Sequence, residues 1–175
     1  EASIVEVDID GGGFERIRVT DDGTGMSREE AELCLERHAT SKLWDASDLE
    51  EIVTLGFRGE AIPSIASVSR FSLTTRLRED DAATRILVEG GAIGSIGSVG
   101  APPGTSIEVR DLFFNQPARK KFARQAPTEA RHIHDAVMEL AIAHPDVAVT
   151  LRSGGRTVID APRVSSSDPR GRLGR

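Results

Sequence analysis

The sequence predicts a layered α+β fold, with helices packed on a sheet of short strands. Three patterns predict it. Near the start, apolar and polar residues alternate on both sides of a glycine triplet. In the middle, four strand-like runs are separated by glycine-rich turns. Toward the end, residues 128–143 repeat their apolar side chains at helical spacing.

The first element is a hairpin. Val5, Val7 and Ile9 alternate with Glu6, Asp8 and Asp10, and Ile17 and Val19 alternate with Arg16, Arg18 and Thr20. Successive strand side chains point to opposite faces, so this period of two describes two half-buried strands joined at Gly11-Gly12-Gly13. Ser27 with Glu30 three residues on is a capping-box signature. It opens a helix whose apolar positions are Ala31, Leu33, Cys34 and Leu35. Residues 38–57 read as irregular, broken by a short helical turn from Ser47 to Ile52. So long a loop-like stretch inside a compact domain is uncommon and often functional, lids included. A helix-like run follows from Glu60 to Val68.

Strands are expected at about Ser69–Arg78, Thr84–Glu89, Ile93–Val99 and Thr105–Asp111, with glycine dense from Gly90 to Gly104. The best-marked helix runs from Thr128 to Ala143. Ala130, Ile133, Val137, Leu140 and Ala141 share one face, Pro127 starts it and Pro145 follows it. Asp146–Arg152 and Arg156–Asp160 form a closing hairpin around Gly154-Gly155. No internal repeat is present, and residues 164–175 read as a linker or frayed tail.

Composition excludes several classes. The chain has 175 residues, 38% hydrophobic and 29% charged, which suits one folded domain with a real core. Aromatics are 4% with no Tyr, so the core must rest on Val, Ile, Leu and Ala. The lone Cys34 cannot form an internal disulfide and reads as a small buried hydrophobe. His132 and His134 lie two apart on a helix and so do not share a face, which argues against a metal pair. No apolar run approaches the twenty or so residues of a membrane span. Net charge is −6, which does not suit a tight autonomous DNA binder. Arg110, Arg119, Lys120, Lys121, Arg124 and Arg131 nevertheless oppose only Asp111 and Glu129, a local +4. Arg119, Lys120, Lys121 and Arg124 form either a DNA-facing basic patch or a solvated basic face.

The chemistry concentrates between Thr20 and Ser67, in three clusters. Asp21-Asp22-Gly23-Thr24-Gly25-Met26 follows a strand, Arg37-His38-Ala39-Thr40-Ser41-Lys42 follows a helix, and Leu55-Gly56-Phe57-Arg58-Gly59-Glu60-Ala61 opens one. Neither the P-loop nor the dinucleotide fingerprint is present. Asp21 sits at a strand end, and an ionised carboxylate only accepts hydrogen bonds, so it suits an exocyclic amine. Gly23 and Gly25 let backbone turn sharply and come close to a flat base. Thr40, Ser41 and Lys42 supply two hydroxyls and an ammonium. Gly56, Phe57, Arg58 and Gly59 run into a helix start, where free N–H groups and the dipole favour phosphate. Alone, each cluster also fits an ordinary turn, polar loop or helix start; their order makes a nucleotide pocket the sharper reading.

These clusters resemble the ATP-binding motifs of the gyrase, Hsp90, histidine-kinase and MutL superfamily. "RHATSKL" followed by "LGFRGEA" is similar to MutL, the DNA mismatch repair ATPases. So is the run from Gly104 to Phe122, GTSIEVRDLFFNQPARKKF. The resemblance reaches from residue 1 to about 160. It implies a two-layer sandwich on a mixed, mainly antiparallel sheet. It implies that Asp21 contacts adenine with Thr105 helping through water, that Gly23 and Gly25 shape the base pocket, and that Thr40, Ser41 and Lys42 line a lid. Gly56, Phe57, Arg58 and Gly59 would give backbone donors to the phosphates.

By the same resemblance, ATP binding drives dimerisation, homo- or heteromeric, and relays mismatch recognition by a MutS-type sensor to downstream repair, with weak non-specific DNA contact and no membrane. The setting is cytoplasmic, nucleoid-associated in a bacterium, or nuclear in a eukaryote. The family's water-activating glutamate and Mg²⁺-holding asparagine precede the strand that begins near Ala2, so the expectation is an N-terminally truncated ATP-binding domain at 1–163. Residues 164–175 would be a linker or the start of the transducer domain, which supplies a lysine to the γ-phosphate. No catalytic residue or metal ligand is then expected within the chain, and by itself it is expected to show no turnover and marginal or no ATP binding. The other readings are a type II topoisomerase or Hsp90-like ATPase region, or an interaction module that binds no nucleotide.

Overall fold

The computed structural model describes residues 2–36 and 61–164. They build one sheet of eight strands, in the order β5-β4-β3-β6-β2-β1-β7-β8. The strands are β1 (Ile4–Asp10), β2 (Arg16–Asp21), β3 (Arg70–Arg76), β4 (Ala83–Glu89), β5 (Ala92–Val99), β6 (Gly104–Arg110), β7 (Ala148–Ser153) and β8 (Arg156–Ala161). The helices are α1 (Arg28–Leu33), α2 (Ala61–Ala66), α3 (Pro117–Phe122) and α4 (Ala126–Ala143). β1 pairs with β7 in parallel. The other pairings are antiparallel, so the sheet is mixed and mainly antiparallel, as the resemblance implies.

The alternating hairpin forms in the register its pattern requires. Val7 faces Val19 and Ile9 faces Ile17 across β1 and β2. Two apolar clusters lie on the helix side of the sheet. In one, Val137 and Ala141 of α4 pack on Val7, Ile9, Val149, Leu151 and Ile159. In the other, Ala31 of α1 and Ala66 of α2 pack on Phe71, Leu73, Ile86, Val88 and Val109. Ile17, on the central strand β2, touches both.

The Ser27–Glu30 capping box is fully made: Glu30 N–H donates to Ser27 Oγ and Ser27 N–H to Glu30 Oε2. The helix it opens is shorter than its apolar spacing suggests. Ala31 is its buried residue and Leu33 is exposed, because one turn and a half presents a single narrow stripe to the sheet. Cys34 caps the helix, partly buried against the second cluster, and burial pushes its thiol pKa up. On α4, Leu140 is likewise exposed and edges a cavity instead of filling the core. The predicted strand over Ser69–Arg78 narrows to Arg70–Arg76, and the last hairpin starts at Ala148, since Asp146 and Val147 form the turn after α4.

One element had no periodic signal. Pro117–Phe122 is a short helix, α3, reached through Asp111 and Phe113, both at positive φ. Left-handed backbone is rare for a non-glycine residue, and here it is held by Phe113 N–H donating to Val68 O and by Asp111 paired with Arg70. The face of the sheet away from the helices carries ion pairs, among them Arg18–Asp8 and Arg16–Asp10.

Leu151 is fully buried beneath α4. Leu151→Ala is expected to lower unfolding free energy by about 2–5 kcal/mol, the range for a buried leucine truncation, measured by urea titration.

Candidate functional site

Three strands at the centre of the sheet share one register, and it places the site. Across β2, β6 and β3, Ile17, Val109 and Phe71 stand opposite one another, then Val19, Ile107 and Leu73, then Asp21, Thr105 and Thr75. Directly opposed residues project from the same face of a sheet. The first two rows are apolar and belong to the helix side; the third ends those columns with a carboxylate and two hydroxyls. β1 extends the third row with Val5, opposite Asp21.

Among the described residues, the helix layer leaves this part of β2 uncovered. The two clusters flank the strand, and Val19 is 38% exposed, although Val7 beside it on β1 is buried. An apolar cavity of about 430 Å³ opens between α4 and β1–β7, lined by Val5, Val7, Val137, Leu140, Val147 and Val149. It adjoins Asp21 through Val5.

Asp21 and Asp22 have separate tasks. Asp21 Oδ1 accepts the Gly23 N–H at 2.8 Å, which folds the loop back on the strand end. Its other oxygen has no partner among the described residues. Asp22 accepts from Ser3 N–H at 2.7 Å, Ile4 N–H at 2.8 Å and the Ser3 hydroxyl. The Ser3 hydroxyl, with backbone N–H groups behind it, holds the Asp22 carboxyl below the usual carboxylate range, against the opposing effect of burial. Asp22 thus ties β2 to the start of β1, and Asp21 is left for other work.

Two glycines permit the crossing of backbones around the row. Gly25 has φ +74°, and a Cβ there would lie 2.0 Å from the carbonyl oxygen of Arg76. Gly104 has φ +115°, and its Cβ would lie 2.1 Å from the carbonyl oxygen of Asp21. Gly25 therefore makes room for the neighbouring chain. Gly23 has ordinary φ; a Cβ on it would crowd Asp21 Oδ1 at 2.8 Å.

Behind Thr105 lies a group that sequence reasoning missed. Thr75 is 1% exposed. Its hydroxyl accepts the Met26 N–H at 2.9 Å, and lies 3.2 Å from Gly104 O and 3.1 Å from Thr105 Oγ1. A threonine in a strand is ordinary, and only the register with Thr105 singles it out. Gly104 could have been found, since it opens the run GTSIEV.

The other predicted site residues divide. Thr40, Ser41, Lys42, Gly56, Phe57, Arg58 and Gly59, with the expected lid and the Ser47–Ile52 turn, lie outside the described residues. Arg119, Lys120 and Lys121 are on α3, exposed, and no ion pair engages them among the described residues. Arg124 follows the helix and donates to His132 Nε2. No three or more His, Cys, Asp or Glu come together as a metal site among the described residues. No helix there is long and apolar enough to cross a membrane.

Similar proteins agree on what this arrangement is. The DNA mismatch repair protein MutL of Anaeromyxobacter sp. (strain K) is 59% identical over 160 residues, covering 91% of this chain and 26% of the relative. MutL of Syntrophotalea carbinolica is 52% identical over 165 residues, covering 94% and 26%. The chain belongs to the MutL family. Among solved structures, an Aquifex aeolicus MutL ATPase domain complexed with ADP superposes with a TM-score of 0.75 at 36% identity, covering 96% of this chain and 59% of that one. The sheet and its helices are thus the MutL version of the sandwich shared with gyrase, Hsp90 and histidine kinases. This MutL-family chain spans about a quarter of the length of the curated relatives it matches. No family model matches it.

Gly25→Ala should destabilise the protein by more than about 1 kcal/mol, as expected where φ is positive and the space is occupied; a thermal melt measures it. Asp22 gives a pH dependence. Its pKa is lower folded than unfolded, so its stabilisation is present above about pH 3.9, the unfolded value, and is lost as pH falls through the folded value. Urea midpoints of wild type and Asp22→Asn should differ near neutrality and converge below that range.

Proposed function

We propose that this chain forms the adenine-binding part of an ATP site in its whole protein, with the base over the uncovered part of β2 and its amine donating to Asp21. One observation carries the reading: among the described residues, a carboxylate oxygen of Asp21 is left unpartnered where no helix covers the sheet, between apolar Val5 and the hydroxyl of Thr105. A carboxylate can only accept, so it favours an amine over a carbonyl. The ADP-bound MutL relative supports the ligand class. Thr105 would act through a water, and Gly23 and Gly25 through the loop they shape.

The phosphates are assigned to the glycine-rich turn at Gly56, Phe57, Arg58 and Gly59, under a lid carrying Thr40, Ser41 and Lys42. Bound Mg²⁺ would neutralise phosphate charge; no described residue is assigned to it. Nor is one assigned to activate water, since Asp21 belongs to the base end. Residues 1–163 are read as the ATP-binding unit and 164–175 as its connection onward.

For the whole protein we propose a cytoplasmic mismatch repair ATPase whose ATPase regions dimerise on binding ATP and answer a MutS-type sensor. A ligand shifts such an equilibrium only by its preference for the closed state. Weak, salt-dependent DNA contact is assigned to Arg119, Lys120, Lys121 and Arg124, because the three α3 cations lack counter-ions among the described residues.

Asp21→Asn puts an amide donor opposite an amine. In the whole protein, ATP affinity should fall about ten- to a hundredfold, the cost of a lost charged hydrogen bond. Calorimetric titration measures it, and unchanged affinity in a folded variant overturns the assignment.

A further inference from the structure

We infer that Phe122 is a base-stacking residue, so that the basic segment around α3 takes DNA as a single strand with its bases unpaired. The inference deepens, and rests on, the DNA contact proposed for Arg119, Lys120, Lys121 and Arg124. α3 buries none of its residues. Phe122, at its end, is 88% exposed, whereas Phe14, Phe71, Phe113 and Phe114 are buried or partly buried. The helix is nevertheless held in place. Just ahead of it, Phe113 N–H donates to Val68 O at 2.7 Å and Asn115 Nδ2 to Ser67 O at 2.9 Å. Its entry is thus fixed to the chain that leaves α2, while Arg119 to Phe122 all face solvent.

A single exposed apolar side chain is ordinary on a protein surface. The surroundings of this one are not. The chain carries a net charge of −6, yet residues 117–125 hold four cations and no acidic residue. Arg119, Lys120 and Lys121 have no ion-pair partner among the described residues. An apolar protein partner is met by a contiguous apolar patch, and Phe122 has Lys121 on one side and Ala123 and Arg124 on the other. An aromatic ring set among cations suits a polyanion that also carries flat rings. Arg119 and Phe122 are three apart and so are neighbours on the helix surface. One nucleotide would place its phosphate at Arg119 and its base on the Phe122 ring. Inside a duplex both faces of a base are already stacked, so the ring adds affinity only where a base is unpaired. Every base has a π-face, so the contact reads strandedness and not sequence.

The test is fluorescence anisotropy of a labelled oligothymidylate, with the matching duplex as reference, on the whole protein that carries this chain. Binding is measured at several salt concentrations. Phe122→Ala should weaken single-strand binding about tenfold, the order of one lost base stack. The salt slope should stay as it is, because no charge is lost. The ratio of single-strand to duplex affinity should fall by the same factor. Phe122→Leu keeps apolar volume without a π-face and should show the same loss, while Phe122→Trp should bind as tightly as wild type. Wild-type affinity in a folded Phe122→Ala protein overturns the inference. So does wild-type affinity in Phe122→Leu, which makes the contact merely apolar. If Phe122→Ala does not fold, equal affinities of Phe122→Leu and Phe122→Trp overturn it. Lys120→Ala and Lys121→Ala separate the two levels. Each should make the slope of log affinity against log salt shallower by about 0.7, the value for one phosphate of a single strand. If neither slope changes, the basic segment does not contact DNA; if both do while Phe122→Ala binds like wild type, only the stacking fails.

Discussion

Val19, Ile107 and Leu73 stand opposite one another across β2, β6 and β3, and the site depends on that alignment. Side-chain direction alternates along a strand, so a slip of one residue would send every column to the other face. The apolar rows prevent it, because they can be buried only on the helix side. The same register then carries Asp21, Thr105 and Thr75 to one end of the columns. Packing in the core thereby positions polar groups that contribute little to it.

The gap above β2 has an equally simple origin. Short α1 and α2 cover the β3–β4–β6 side, and α4 covers the β1–β7–β8 side. Ile17 reaches both clusters, whereas Val19 lies two residues further along, where neither of the described helix groups extends over it. An exposed valine beside a buried one is poor packing for a core and good lining for a flat apolar ligand.

Much of the fold could be read from periodicity, and much of the site from glycine and charge spacing. The hairpin of Val5 to Val19 and the long helix at Ala126–Ala143 have unambiguous periods, and both formed. The capping box was readable because two side chains and two backbone groups satisfy each other locally. Leu33 and Leu140 were misjudged because a helical stripe says which residues are apolar but not how wide a surface the sheet offers. α3 carried no apolar period at all, and its approach through left-handed Asp111 and Phe113 depends on contacts with Val68 and Arg70 far away in the chain. At the site, Asp21 and Thr105 stood out through the motifs around them. Thr75 did not, since its meaning comes from three partners contributed by other strands and loops.

The parallel pairing of β1 with β7 has a consequence for the growing chain. Ile4 is joined to Ala148 and Ile9 to Ser153. β1 is therefore held on one side by β2, its near neighbour, and on the other by β7, which is far from it in sequence. During synthesis the β1–β2 hairpin must wait with an open edge until α4 and β7 arrive, and contacts so distant in sequence slow folding.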